Sequence, residues 1–200
     1  MHYLGLLTLA VMTGLLHLQA STDRHDLAVY QAVLASRIRP EVNRHSAALG
    51  APTPAPVLAY DRTLALCGTH VDHTKMNCIS DERVVQRFGR VFQTAVSADS
   101  RQEITRVFRQ RNAASSPFPP EKLEGVITVP PEDAYEAVKR ESRRTRGISS
   151  FSLPAYSSDG YAVVYGSYVC GGLCGYGWLF LLQQQGGVWR VVATEMLWIS

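Results

Sequence analysis

The chain has 200 residues, is 46% hydrophobic and 18% charged, and carries a net charge of +3. That balance excludes a disordered chain, which is poor in apolar residues and far from neutral. A charge this small gives no ground for a polyanion partner, and no nucleic-acid-binding pattern accompanies it.

Leu4 to Leu18 are almost wholly apolar and hold no Lys, Arg, Asp or Glu. Ala20 precedes the polar run Ser21, Thr22, Asp23 and Arg24. An apolar core ending at a small residue before a polar start predicts a secretory signal peptide over 1–20. The n-region lacks a basic side chain, and Leu18 is large for the position three before the cut. The alternative is an uncleaved anchor, for which the stretch is at the short limit of roughly 20 apolar residues. Membrane contact is expected only through such a leader. The remainder, 21–200, is expected to be one secreted or periplasmic domain, since its length suits one core better than two.

A helix is predicted over 26–39, with Asp26 as cap, Leu27, Tyr30, Val33 and Leu34 on one face, and Pro40 beyond its end. Three prolines and a glycine make 47–56 a loop. Residues 57–66 read as one strand. Ser80 or Asp81 caps a helix with Val84, Val85, Phe88, Val91 and Phe92 at helical spacing. Ser100 and Glu103 form a capping box for the next helix, and Pro131 opens another after a short strand at 126–129. From 149 onward the helix signals stop. Residues 149–156 alternate, with Phe151, Leu153 and Ala155 on one side. Ser158, Asp159 and Gly160 signal a hairpin turn, and strands follow over 161–169, 176–183 and 188–198. Short turns between strands imply antiparallel neighbours. The predicted fold class is α+β, with N-terminal helices packed on the apolar face of a C-terminal antiparallel β-meander.

Several C-terminal segments form a recognisable set: GISSFSLPAYSSDGYAVVY at 147–165, CGGLCGYGW at 170–178, GGVWRVV at 186–192 and the terminal WIS at 198–200. With the weaker landmarks VYQAVL at 29–34 and AYDRT at 59–63, they resemble a family of exported, largely bacterial proteins of uncharacterised activity. The resemblance implies export and a compact domain, and carries over no catalytic residue.

The four cysteines are even in number, which in an exported chain favours disulfides. Of the three possible pairings, the local one is preferred: Cys67 with Cys78, and Cys170 with Cys174. A redox-active reading of Cys170 and Cys174 is weaker, because such pairs use C-x-x-C at a helix start. The loop between Cys67 and Cys78 also holds His70, Asp72 and His73. Their spacing is not that of a familiar zinc site, so a metal there is not favoured. Arginine-rich runs at 101–111 and 139–146 are interleaved with glutamates and read as solvated helix faces. No G-x-S-x-G, P-loop or H-E-x-x-H occurs, and no cofactor is expected. Aromatics crowd the predicted sheet, and Tyr165, Trp178 and Trp189 are the candidates for an exposed binding face. The leading functional reading is a non-catalytic binding or interaction module for a macromolecular partner. The alternative is a small extracytoplasmic hydrolase or a metal-dependent enzyme using the His70–His73 loop.

Overall fold

The computed structural model describes residues 25–48, 50, 53–67, 78–119, 123–171 and 174–200. The expected leader, and His70, Asp72 and His73, lie outside the described residues. The fold is α+β.

Helix α1 runs over 25–47. Val29, Tyr30, Val33, Leu34, Ile38 and Val42 are almost fully buried along one stripe. The helix does not stop before Pro40, as the sequence suggests. Leu34–Ile38 widens into a π-turn, in which the Arg39 N–H reaches back to the Leu34 carbonyl. The α-pattern resumes at Arg39–Ala47 with Pro40 in its first turn. A proline is tolerated there because its missing N–H falls where the hydrogen-bond pattern is changing.

Strand β1 (Val57–Tyr60) follows, then two short strands, β2 (Ala65–Leu66) and β3 (Cys78–Ile79), paired parallel. The single strand expected over 57–66 is broken at Asp61, whose N–H donates to Val129 and whose carbonyl accepts from Phe118. Helices α2 (Asp81–Val91) and α3 (Ala98–Arg111) come next. Ser97, rather than Ser100, caps α3 by accepting the Ser100 N–H at 3.2 Å. Strand β4 (Val126–Val129), a 3-10 turn at Pro131–Asp133 and helix α4 (Ala134–Arg140) lead into the C-terminal strands.

Those strands are β5 (Ile148–Phe151), β6 (Ala155–Tyr156), β7 (Tyr161–Gly171), β8 (Cys174–Gln185) and β9 (Val188–Ile199). The main sheet has the order β4-β1-β5-β7-β8-β9, with β6 also on β7. β7, β8 and β9 pair antiparallel in chain order, whereas β1 pairs parallel with both β4 and β5. The sheet is therefore mixed and wider than a meander alone. Parallel neighbours need crossovers; the segments carrying α2, α3 and α4 supply them.

Helices cover both faces of the sheet, not one. Ala162, Val164, Trp178, Phe180 and Leu182 join α1 in one buried cluster. The alternate residues Val163, Tyr165, Leu179 and Leu181 join α2 and α3 in another. Helix α4 packs with Leu58, Val129 and Ile148 in a third. The 149–156 segment is likewise split. Phe151 belongs to the α1 cluster and Ala155 to the α2–α3 cluster. Pro154, which cannot donate to a ladder, lies in the kink between β5 and β6.

The glycines of β8 make room for the end of the chain. A Cβ on Gly177 would fall inside the Trp198 indole, and one on Gly175 would press the same ring. Trp198 donates its indole N–H to the Tyr165 hydroxyl at 2.9 Å. Gly175 and Ser200 exchange backbone hydrogen bonds at 3.0 and 3.2 Å. Strand β9 carries two bulges, with Val192 and Leu197 as the extra residues.

Gly177→Ala should destabilise the fold by about 1–3 kcal/mol, the range for overpacking, because the ring it meets is pinned. Gly89→Ala is the counterpart: it lies within α2 with nothing within 4 Å, and should stabilise by about 0.5–1 kcal/mol. Urea unfolding of both variants measures the two signs.

Candidate functional site

The kink between β5 and β6 is where α1 and α3 meet. Arg111, at the end of α3, makes a two-pronged ion pair with Asp26 of α1, at 3.0 and 2.7 Å. The same guanidinium donates to the Pro154 carbonyl at 2.6 Å. Next to it, Asn112 accepts the Leu153 N–H at 2.8 Å and donates to the carbonyls of Leu153 and Phe108. Tyr30 of α1 donates its hydroxyl to the Ser152 carbonyl at 3.0 Å, and the Tyr165 N–H donates to the Ser152 hydroxyl. Every polar group of the kink named here is held by a partner from another element.

Tyr156 completes this network. Its hydroxyl donates to Asp26 at 2.6 Å, and the Arg111 guanidinium lies over its ring, 5.4 Å from the centroid. Burial pushes the Tyr156 hydroxyl pKa far above the ordinary tyrosine value, and the neighbouring Asp26 carboxylate adds to the shift. Tyr30 is raised by the same two causes, burial first. Both remain neutral phenols throughout the physiological range.

The outer side of Tyr156 faces a cleft of about 270 Å³ lined by His25, Tyr156, Ser157, Ser158, Gly160, Gln184 and Trp189. Three rings form its wall. His25 sits edge-on to both Tyr156 and Trp189, with centroids at 6.3 and 6.2 Å, and Tyr156 lies 5.6 Å from Trp189. The Trp189 indole N–H donates to His25 Nδ1 at 3.3 Å. An indole nitrogen can only donate, so this bond leaves the His25 proton on Nε2. The two serines are tied back to α3 and the turn. Ser157 donates to Asp159 at 2.5 Å, Asp159 also accepts from Ser100 at 2.6 Å, and Ser158 donates through N–H and hydroxyl to Glu103, both at 2.9 Å. These bonds, those from Ser100 and Ser157 foremost, hold the Asp159 carboxyl below the usual range. The cleft is thus a rigid, uncharged depression of rings, hydroxyls and one amide.

Both expected disulfides are present: Cys67–Cys78, tying β2 to β3, and Cys170–Cys174, across the tip of the β7–β8 hairpin. Tyr165, Trp178 and Trp189 do not form an exposed face. They are 8%, 1% and 7% exposed, because helices on both sides of the sheet consume the surfaces that alternation was expected to leave open. Trp189 borders the cleft described above. Within the arginine runs, Arg111 departs from the solvated reading, being four-fifths buried and ion-paired. Glu103 is no capping-box partner but a clamp on the hairpin turn. Sequence reasoning missed His25, Ser157, Ser158 and Gln184 as a group, since they are separated by up to 159 residues in the chain and share no motif. It also missed His45, whose Nε2 lies 4.0 Å from Cys170 Sγ.

No helix among the described residues is long and apolar enough to cross a membrane. No protein-family model, curated protein or solved structure matches this chain.

Asp26→Ala should cost about 3 kcal/mol, because it strands a desolvated guanidinium; Asp26→Ala combined with Arg111→Met should cost less than Asp26→Ala alone. A double-mutant cycle from denaturant unfolding checks the sign of the coupling. Tyrosines of the unfolded chain ionise near pH 10. Above that pH the unfolded state releases protons that Tyr30 and Tyr156 still hold in the fold, so stability is intact below pH 10 and falls as pH rises past it. Tyr156→Phe should lower Tm at pH 8 but flatten the further fall between pH 10 and 12, as read by thermal melts across that range.

Proposed function

We propose that the chain is an exported, non-catalytic binding module whose ligand site is the cleft between His25, Tyr156 and Trp189. The apolar stretch ending at Ala20 supports export, as do two disulfides, which persist in oxidising compartments. The resemblance to a family of exported bacterial proteins is part of the same proposal. Its signature acquires a steric sense here, since the glycines of CGYGW clear the space that the tryptophan of WIS fills.

One observation carries the binding reading: the hydroxyls and the indole N–H around the cleft are committed to structural partners. The Tyr156 hydroxyl is held by Asp26, Ser157 by Asp159, Ser158 by Glu103 and the Trp189 N–H by His25. A nucleophile needs its hydroxyl paired with a base that accepts the proton; the carboxyls that face the two serines, Asp159 and Glu103, are held below the usual range by serine hydrogen bonds, which makes them weak proton acceptors. What remains for a ligand is ring surface, the His25 Nε2–H and the Gln184 amide. No Lys, Arg, Asp or Glu lines the cleft, so the ligand is uncharged. The volume lies just under the roughly 300 Å³ at which drug-sized pockets begin, which suits one ring. Aromatic walls with neutral hydrogen-bonding groups fit a single sugar ring at the end of a glycan, the macromolecular partner being the glycan.

Calorimetric titration with a panel of neutral methyl glycosides and short oligosaccharides tests this. Saturable binding to at least one member is expected, weakened several-fold by Gln184→Ala, which leaves the core untouched. Folded protein that binds none of the panel would overturn the reading.

A further inference from the structure

The far end of the β7–β8 hairpin holds a second cluster, roughly 30 Å from the cleft at about 3.3 Å per residue of strand. Here His45 of α1 meets Cys170 and Cys174. One ligand atom from each of the three lies within 4.8 Å of the other two. All three residues are half-buried, neither sealed in the core nor free on the surface. Cys170 is the extra residue of a bulge, between Val169 and Gly171; bulges re-aim side chains and loosen the local ladder. The imidazole is fixed by two tyrosines paired across the strands, Tyr168 and Tyr176, with centroids at 5.7 and 6.4 Å. Its Nε2 faces the Cys170 sulfur at 4.0 Å.

We infer that this disulfide masks a metal site, which reduction opens for a thiophilic divalent cation bound by Cys170, Cys174 and His45. The chemistry balances with a dithiol as reductant. The dithiol gives up two electrons and two protons, its own sulfurs join, the Cys170–Cys174 bond breaks, and two thiols remain. The cation then displaces both thiol protons and binds two thiolates and the neutral imidazole. Zinc bonds at about 2.3 Å to sulfur and 2.0–2.1 Å to nitrogen in tetrahedral geometry. Those lengths put sulfur and nitrogen roughly 3.6 Å apart and the two sulfurs about 3.8 Å apart, so Nε2 closes a few tenths of an ångström on the Cys170 sulfur while the two sulfurs, no longer bonded, separate by rotation of their side chains. Three protein ligands leave the fourth position to water or an incoming group. The oxidised protein has no thiolate there and holds no metal, so metal loading reports the redox state of the compartment. This inference is independent of the cleft.

Co²⁺ is the first probe, because tetrahedral thiolate coordination gives it intense visible bands. Full-length protein, reduced anaerobically with a phosphine, should take up one Co²⁺ per chain with those bands, and the oxidised protein none. Zn²⁺ affinity, measured against a chromophoric chelator, should fall at least tenfold in His45→Ala. The Cys67→Ala/Cys78→Ala chain should keep full affinity, which separates this site from the other cysteine pair. If that chain fails to fold by circular dichroism, the His45→Ala comparison in the otherwise native protein decides alone. Absence of Co²⁺ uptake after reduction, or equal Zn²⁺ affinity with and without the His45 imidazole, would overturn the inference.

Discussion

The grip of Arg111 on Asp26 sets the geometry of everything around it. A sheet with helices on both faces normally keeps those helices apart, and each layer packs without reference to the other. Here the chain leaves the sheet at Leu153 and Pro154, between β5 and β6. Through that interruption the end of α3 reaches the start of α1. Arg111 and Asn112 satisfy the backbone groups the kink exposes, and Tyr30 takes another from the opposite side. The desolvation of two charges is offset only because each carboxylate oxygen and both terminal nitrogens of the guanidinium find partners. The cleft inherits this rigidity, since Tyr156 is at once part of the network and part of its wall.

A steric rule governs the other end of the sheet. Gly175 and Gly177 in β8 lack the side chains that would otherwise fill the α2–α3 face, and Trp198 fills it from β9 instead. A large ring over two bare backbone positions is a local exchange of volume, and it seats the tail of the chain beside the Cys170–Cys174 tip. The long β7–β8 hairpin therefore joins two different chemical environments, an uncharged aromatic depression and a sulfur–imidazole cluster.

Much of this was written in the sequence, though unevenly. The apolar face of Leu27, Tyr30, Val33 and Leu34 marks the first part of α1, and Asp81, Val84, Val85, Phe88 and Phe92 mark α2, because helical burial repeats every three to four residues. Turn residues place the hairpins, and the cysteine spacing gives both bridges. The run from Trp178 to Leu182 also held a signal read too narrowly. An unbroken series of large apolar residues means a strand covered on both sides, whereas alternation was expected to leave aromatics in the open. Pro40 misled in the opposite sense, since a π-turn just before it lets the helix continue. The sites were hardly legible at all. His25 reaches Trp189 across 164 positions and His45 reaches Cys170 across 125, and long-range pairings of single residues leave no local pattern.

Strand β9 lies at the border of the sheet and bears four of the six large apolar side chains that stand exposed among the described residues: Val188, Val192, Met196 and Ile199. A long, flat border of this composition is the usual seed for copies of a chain to stack on one another without limit. The extra residues Val192 and Leu197 interrupt the regular spacing of its amides, so a second molecule arriving there finds no continuous ladder to extend. The irregularities that look like flaws in the strand thus act as a safeguard: they deny an oily rim the regular ladder that unlimited stacking requires.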